Sequence, residues 1–349
     1  MKKLLLTTAL AGATLVASNA IAQTTVSGNL DIGFKAISSE KANDAVSSHQ
    51  GFGKEAQINI QTKGKLNNGM DYAAGFSLED DGNQAGTYFN ENTFINVISG
   101  GTTISIGQDH IQNNDRTLAN FVGLIAEDLT GTAAGSSVIT TDGFLSEVGA
   151  DPVQSFGVGL LQSTPVGVFS AWYAPDNAGF TVNTYGTDQN ASDTSRSSAY
   201  EIGFTGGLGV KGLSVHAFVN EEGKNDGNTR KLKGQNFGAS YNFGQITAGV
   251  NYKETEYTAV PGTAVNTGKT EQVEYGLAYA VTANTTIGAN YTKADNNGTA
   301  HSDAKSKSIA VGYNLGAIAL TAQAAKLENY DFTSGTDADV LYLRASTKF

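Results

Sequence analysis

The chain has 349 residues, of which 40% are hydrophobic and only 16% are charged. Soluble domains carry about a quarter charged residues, so something other than surface charge keeps this chain in place. The 33 acidic residues outnumber the 22 basic ones, which argues against a nucleic acid partner, since that would need clustered Lys and Arg. Because there is no cysteine, disulfide scaffolds and thiolate metal sites are excluded.

Residues 1–22 have the pattern of a secretory signal peptide. Two lysines follow the first methionine, an apolar run covers residues 4–16, and a small residue stands two places before Ala22. The apolar run is too short to cross a bilayer, which needs about 20 residues. We expect cleavage between Ala22 and Gln23, which leaves residues 23–349 as one domain outside the cytoplasm. No later segment has enough consecutive apolar residues to predict a transmembrane helix.

Apolar and polar residues alternate with a period of two through most of residues 23–349. In "YGLAYAVTANTTIGANYTK", residues 275–293, one face carries Tyr, Leu, Val and Ile, and the other carries small Gly, Ala, Thr and Asn. Segments of this kind are strands.

Connector lengths predict the number of strands. Short turns and long links alternate, and their fifteen positions join 16 strands, an even number that lets the first and last strands pair. An extra strand-like stretch at residues 179–186 would break this parity, so we interpret it as structure within a long link. The short turns are predicted near Asn68, Gly100, Pro165, Gly209, Gly244, Ala283 and Gly316.

The large apolar face of these strands predicts contact with lipid. In a soluble sandwich the face away from the core meets water and carries many Lys and Glu, whereas here it is mostly Gly, Ala, Ser, Thr and Asn. In hydrocarbon, a closed barrel satisfies the backbone groups of every strand. We therefore predict an all-β fold, a transmembrane antiparallel β-barrel of about 16 strands. A secreted soluble sandwich or adhesin is the alternative.

Aromatic residues are predicted to form an outward girdle at each membrane interface. We expect Tyr241, Phe243, Tyr313 and Phe349 on the short-turn side, and Phe34, Tyr252 and Tyr291 toward the long links.

Three hairpins and the C-terminus carry a family resemblance. They read "KGKLNNGMDYAAGFSLEDD", "NTFINVISGGTTISIGQ", "STPVGVFSAWY" and "LYLRASTKF". In this order they resemble the Gram-negative trimeric porin family along the whole of residues 23–349. The chain departs from the family at Gln108, where Arg is common, at Asn96 in place of Gly, and at Thr347 in place of an aromatic residue.

The resemblance implies a homotrimer in the outer membrane of a Gram-negative bacterium, in contact with outer-membrane lipid. It also implies that the barrel assembly machinery reads the terminal Phe349, and that the third long loop folds into the lumen. The implied function is passive diffusion of small hydrophilic solutes and ions through a water-filled channel, without a cofactor. An adhesin or receptor barrel without an open pore is the alternative.

The long link at residues 109–152 is the candidate constriction loop, because a loop of this length in a compact fold is usually functional. We hypothesise that the apolar patch beginning at Phe121 packs against the barrel wall while Glu127 and Asp128 project into the channel. A loop that points outward into solvent is the alternative. The constriction candidates on the loop are Asp109, Asp115, Arg116, Glu127 and Asp128.

Charges that line a pore set its ion selectivity by attracting counter-ions. The chain has only four arginines, and Gln108 removes one expected member of the family's basic cluster. We therefore predict a mild cation preference. The basic residues predicted to face inward are Lys35, Lys63, Lys253, Lys293, Lys326 and Arg344, of which Lys35, Lys63 and Arg344 are constriction candidates.

Catalytic and metal sites are not predicted. A barrel hydrolase would need a His with Ser or Asp partners. His49, His110 and His301 lie in long links, and His216 has only Ser214 beside it on one strand. Acidic and amide-rich stretches in the links are more often turn formers than calcium ligands. We predict that the protein is not an enzyme, with a barrel hydrolase as a remote alternative.

Overall fold

Sixteen β-strands make up the computed structural model. It describes residues 23–39, 49–80, 89–108, 116–121, 156–175, 198–223, 230–259, 268–296, 302–329, 334–335 and 337–349. The strands are β1 Gln23–Ser39, β2 His49–Lys65, β3 Asp71–Asp80, β4 Phe89–Ser99, β5 Thr102–Gly107, β6 Gly157–Thr164, β7 Gly167–Ala174, β8 Ala199–Gly206, β9 Leu213–Glu222, β10 Arg230–Asn242, β11 Ile246–Ala259, β12 Gly268–Ala280, β13 Thr285–Asn296, β14 Ala304–Asn314, β15 Ile318–Glu328 and β16 Ala338–Lys348. Within the described ranges, no helix has the length and apolar character needed to cross a membrane.

The strands form one closed antiparallel barrel in which each strand pairs with its neighbours in sequence. Closure comes from β1 and β16, which pair antiparallel from Asn29 opposite Lys348 to Ser39 opposite Ala338. The predicted all-β fold and the predicted 16 strands are therefore confirmed. The strand-like stretch at residues 179–186 lies outside the described residues.

The seven predicted short turns join strands at the predicted places, and their residues explain the reversals. At two of them an Asn side chain caps the turn: Asn242 Oδ1 accepts a hydrogen bond from Gly244 N at 2.8 Å, and Asn314 Oδ1 accepts one from Gly316 N at 2.7 Å. Both glycines have positive φ, 99° and 91°, which glycine adopts without a steric penalty.

Large apolar side chains point away from the barrel, as predicted. On β12, Tyr275, Leu277 and Tyr279 are about half exposed, whereas Glu274 and Ala278, on the opposite face, are 0% and 6% exposed. The same alternation continues around the barrel, because paired residues of neighbouring strands share a face. The outer surface is therefore apolar and the inner surface is polar or small.

Outward aromatic residues lie at both ends of the apolar surface, as the sequence predicts. On the short-turn side, Tyr241, Phe243, Tyr313 and Phe349 are all exposed, and the rings of Tyr241 and Phe243 are 4.7 Å apart. On the long-link side, the rings of Phe34 and Phe52 are 5.2 Å apart, Phe237 stacks on Tyr252, and Tyr275 stacks on Tyr291.

The prediction of an inward side chain is wrong for two lysines, which point outward. Lys293 is two residues from Tyr291 on the same strand and pairs with Val273, which lies on the outward face together with Tyr252. Lys326 pairs with Lys307, next to the exposed Ile309. The prediction was wrong because residues two apart on a strand share a face, so an outward Tyr291 requires an outward Lys293.

The inside-out arrangement predicts opposite tolerances at two adjacent positions of β2. Ile58 is 43% exposed on the outward face, and Asn59 faces inward opposite Ser27. An outward Arg near the bilayer midplane costs about 2–4 kcal/mol, so Ile58→Arg should lower the free energy of unfolding in phospholipid vesicles by that amount. Asn59→Arg is the matched control and should change it little. Equal losses at the two positions would contradict this assignment of faces.

Candidate functional site

A six-residue segment of the third long link lies against the inner wall of the barrel. This inner segment comprises residues 116–121, and its contacts pass in order over β8, β9, β10, β11, β12, β13 and β14. It therefore follows the circumference of the wall, across the strands. The rest of residues 109–152 lies outside the described residues.

Three inward asparagines bind the backbone of the inner segment. Asn236 Nδ2 donates to the carbonyl of residue 116 at 2.8 Å, and Asn290 Nδ2 donates to the carbonyl of Ala119 at 3.3 Å. Between them, Asn251 Oδ1 accepts from Leu118 N at 3.4 Å. Buried peptide groups of an irregular segment need such partners, and an Asn amide offers both a donor and an acceptor. Reading the sequence did not identify these asparagines, because alternation assigns them only to the inward face.

The side chain of Arg116 lies flat against the wall at the start of the inner segment. Its Nη1 donates to Thr205 Oγ1 at 3.2 Å, and its guanidinium carbon is 5.7 Å from the centroid of the Phe218 ring. A guanidinium stacks well on an aromatic face, so Phe218 supports its position. Of the loop candidates named from the sequence, Arg116 is the one in the described part of the chain, and it is held at the wall.

Glu274 is fully buried beneath the inner segment and has three polar partners. Its carboxylate accepts hydrogen bonds from Thr117 Oγ1 and, at 2.6 Å, from Gln272 Nε2. Lys253 Nζ lies 3.5 Å from Oε1, the same carboxylate oxygen that Gln272 contacts, and the Lys253 side chain is only 4% exposed. A buried carboxylate is tolerated only when it is paired and hydrogen-bonded, so this cluster ties the segment to two strands at once.

The backbone of residues 118 and 119 approaches the wall closely because two glycines lie beneath it. Gly249 and Gly276 are register partners on β11 and β12. A Cβ atom on Gly249 would lie 1.9 Å from the carbonyl oxygen of Leu118, and one on Gly276 would lie 1.5 Å from that of Ala119. Further along, Phe121 packs against Ala278 and Ala310. The small residues of the inward face therefore form a shallow bed for the segment.

Two of the three basic constriction candidates of the wall lie close together, and the third lies at the other end of the barrel. Lys35 is on β1 opposite Tyr342, and Arg344 is on β16 opposite Gly33, so these two are close in the sheet. Lys63 pairs with Gln23 at the other end of the barrel. Lys35 follows Gln23 by twelve positions, which span roughly 40 Å along the strand, so Lys63 does not join the other two in one ring. Asp109, Asp115, Glu127 and Asp128 lie outside the described residues.

Inward charges of the described residues are balanced in sign. The acidic ones, placed by the strand register, are Asp31, Glu55, Asp71, Glu79, Glu201, Glu222 and Glu274. The basic ones are Lys35, Lys63, Lys65, Lys253, Arg344, Lys348 and, on the inner segment, Arg116. The wall by itself therefore gives no strong excess of one sign.

Metal ligands and catalytic groups are not brought together in these ranges. No group of three or more His, Asp or Glu side chains among the described residues could hold a metal ion. His216 is buried, its Nε2 lies 2.9 Å from Asn236 Oδ1, and Asn236 in turn contacts the inner segment. His216 therefore belongs to the polar network beneath the segment.

The fold and the inner wall together define a class of protein. A closed sixteen-stranded barrel with an apolar outer surface, aromatic girdles and a polar interior is a transmembrane barrel of the outer membrane. The chain belongs to the Gram-negative porin family, whose model matches residues 7–332. It is an outer-membrane porin channel with many membrane-spanning strands. A comparison with curated proteins finds no match.

Solved structures similar to this chain agree with its fold. An anion-selective porin from Comamonas acidovorans has 16% identity and a TM-score of 0.70, and the match covers 94% of this chain and 100% of that one. OmpT of Vibrio cholerae has 13% identity and a TM-score of 0.63, with 96% and 100% covered. A mutant of the Rh. blastica porin has 15% identity and a TM-score of 0.57, with 94% and 100% covered.

The contact between Gly276 and the inner segment predicts that a single methyl group will displace the segment. Gly276→Ala would put a carbon atom onto the Ala119 carbonyl, and overpacking of this kind costs typically about 1–3 kcal/mol. A Leu118→Cys reporter in this cysteine-free chain should then react with a water-soluble maleimide about tenfold faster or more.

Gly64→Ala is the control for this substitution. Gly64 is on β2, on the other side of the barrel from the inner segment. A Cβ atom there would meet the ring of Tyr72 at 2.7 Å. The labelling rate should stay at the value of the parent protein. An unchanged rate in Gly276→Ala would show that the segment does not depend on the glycine bed.

Proposed function

We propose that the protein is a water-filled channel for passive diffusion of small hydrophilic solutes and ions. The observation that carries this proposal is the closed barrel of sixteen strands with a polar inner wall. Barrels of about eight strands are filled by side chains, whereas those with sixteen or more leave an aqueous lumen. Membership of the porin family favours a protein that is not an enzyme.

The loop of residues 109–152 is the proposed constriction. Support comes from the inner segment, which places residues 116–121 on the lumen side of the wall. Asp115 directly precedes this segment in the chain and is a proposed member of the constriction. Glu127 and Asp128 follow the segment by a few residues and are the proposed acidic groups of the channel. The proposed basic groups opposite them are Lys35 and Arg344, while Lys63 would act at the other mouth.

The proposed ion preference is mildly cationic. The described wall is balanced in sign, so acidic residues of the loop, which has Arg116 as its lone base, would decide the local potential. The Comamonas acidovorans protein is described as anion-selective. At 16% identity that similarity concerns the fold and does not extend to individual pore residues.

Assembly and targeting are proposed from the family and from the seam of the barrel. The trimer form of Vibrio cholerae OmpT, with 14% identity and a TM-score of 0.60, supports a homotrimer surrounded by outer-membrane lipid. Residues 1–22 are the proposed signal peptide, cleaved between Ala22 and Gln23. Phe349 is the proposed signal for the barrel assembly machinery. Its backbone also exchanges two hydrogen bonds with Gly28, at 2.8 and 3.1 Å, which completes the pairing of the last strand with the first.

Planar bilayers test the channel and the trimer together. The purified protein should insert with stepwise increases in current that close in groups of three. Deletion of residues 118–132 should raise the conductance of each step, because it removes the proposed constriction. An unchanged conductance would place the loop outside the current path, and protein that folds without producing current would overturn the channel itself.

Charge neutralisation tests the ion preference. In a salt gradient, the zero-current potential should have the cation-selective sign and should move toward zero in the variant E127Q/D128N. The control is Asp295→Asn, an outward residue of β13 that should leave the potential unchanged. An anion-selective potential in the parent protein would reverse the assignment, and equal shifts in both variants would remove the role of the two loop acids.

A further inference from the structure

The first strand extends past the end of the last strand at the short-turn end of the barrel. β16 leads to Phe349, whose backbone exchanges two hydrogen bonds with Gly28. Residues 23–27 of β1 lie beyond this point, and among the described residues they pair only with residues 59–63 of β2. All five are exposed, whereas Gly28 is buried. The seam of the barrel therefore ends in a step, and residues 23–27 form its open edge.

The open edge carries backbone groups without partners. Successive residues of a paired strand direct their N–H and C=O groups to opposite sides. Because Gly28 directs both of its groups to Phe349, Val26 and Thr24 direct theirs to the same side, beyond the end of the last strand. Within the described part of the chain, neither residue has a backbone partner on that side. Two N–H and two C=O groups are thus available to another extended chain.

The sequence of the open edge does not protect it from strand pairing. Natural sheets protect their edges with charged residues, proline or β-bulges. Residues 23–27 read QTTVS, without a charge or a proline, and their register with β2 is continuous. The two threonines and the valine favour an extended backbone, and Val26 is 65% exposed. The edge is therefore suited to strand addition, in which an extended peptide joins a sheet through its main chain.

The end of β16 determines which part of a partner fits. A strand that is added antiparallel to β1 continues the line of β16, so its first residue comes directly after Phe349 in space. The C-terminal carboxylate of Phe349 forms no ion pair with the described residues. An internal segment of a partner would have to turn away at this point, whereas a free amino terminus places its positive charge against the carboxylate.

The two faces of the step determine the side chains of the partner. Phe349 points outward with its ring over Gly28, so the second and fourth residues of the added strand also point outward, beside Phe349 and Val26. Apolar residues fit there. The first, third and fifth residues point inward, on the face that carries Lys348 and Lys63. Acidic residues fit at the first and fifth positions, because Lys348 adjoins the first and Lys63 lies opposite Gln23.

We propose that the open edge binds the free amino-terminal segment of a periplasmic protein as an added strand. This segment is extended, with acidic first and fifth residues and apolar second and fourth residues. The second and fourth residues exchange backbone hydrogen bonds with Val26 and Thr24, and the α-ammonium group meets the C-terminal carboxylate. Short turns of outer-membrane barrels face the periplasm, which is where such a partner is found. The site is separate from the proposed constriction of the channel.

Peptide binding to the purified protein in detergent tests the site. The probe is the peptide Glu-Val-Thr-Val-Glu, with a free amino terminus and a fluorophore on an added C-terminal lysine, and fluorescence anisotropy measures its affinity. Val26→Pro removes one open N–H group and keeps the pairing with β2, since proline is tolerated where the N–H of an edge strand faces away from the sheet. This variant should bind the probe about tenfold more weakly.

Val26→Thr is the matched control, because it changes the side chain and keeps the N–H group. It should bind the probe as the parent protein does. Full affinity in Val26→Pro, or an equal loss in both variants, would refute pairing through the main chain. Single-channel conductance should be the same in both variants, which shows that each one folds and that the channel does not depend on this site.

Charge variants at the same end of the barrel test the lysine contact. Lys348→Gln should weaken binding of the probe about threefold, as expected for one exposed ion pair. Lys211→Gln is its control, since Lys211 is an exposed lysine of the short turn between β8 and β9 and should not affect the affinity. Equal losses in the two variants would show non-specific attraction of an acidic peptide and would overturn the proposal.

Changes of the probe test the site on the parent protein, whatever the variants do. The N-acetylated peptide should bind about fivefold more weakly, because its charge no longer meets the carboxylate. The peptide Val-Glu-Val-Thr-Val, which is shifted by one residue, should also bind more weakly, since its side chains face the wrong sides. Equal affinity of all three peptides would refute the proposal. Self-association in peptide-free detergent that Val26→Pro abolishes would assign the edge to a second copy instead.

Discussion

Backbone hydrogen bonding in a medium without water is the constraint on which this structure depends. Each peptide group inside the hydrocarbon must find a partner within the protein, because an unsatisfied one costs several kcal/mol. A sheet meets this condition only when its first and last strands pair, which β1 and β16 do over eleven registered residue pairs. The terminal Phe349 extends that seam through its two hydrogen bonds with Gly28. Closure then fixes which face of every strand meets lipid and which encloses the lumen.

Closure also explains why the inner wall can hold an irregular segment of chain. Most large apolar residues are on the outside, so apart from Lys253, Gln272 and Glu274 the inward positions of β11 to β14 are occupied mainly by glycine, alanine and short polar side chains. The glycines let the backbone of residues 118 and 119 approach the strands closely, and the asparagines and Glu274 replace the hydrogen bonds that water would make. Small and polar inward residues therefore give the inner wall both its polar character and the room for this segment.

On the outer surface, charged and apolar residues are separated along the membrane normal. Outward charges of the described strands lie on the halves nearer the long links, as with Lys269, whose Nζ is 2.8 and 2.9 Å from Glu254 and Glu271. Outward positions near the short turns are apolar or aromatic. Charged side chains in hydrocarbon are costly, whereas at the headgroup level they meet phosphates and water. The distribution therefore records the orientation of the barrel as well as its depth.

The sequence by itself determined the fold class, the strand number, the short turns and the aromatic girdles, because these depend on local alternation, turn residues and connector length. Tyr275, Leu277 and Tyr279 reveal their common face within a few residues of chain. The tertiary structure alone decided what the inward residues touch. Asn236, Asn251, Glu274 and Asn290 are far from residues 116–119 in sequence, and no local period signals that Gly249 and Gly276 lie beneath them. Likewise, lysines of β13, β14 and β15 stand opposite each other only through the register, which is set by the closure of the whole sheet.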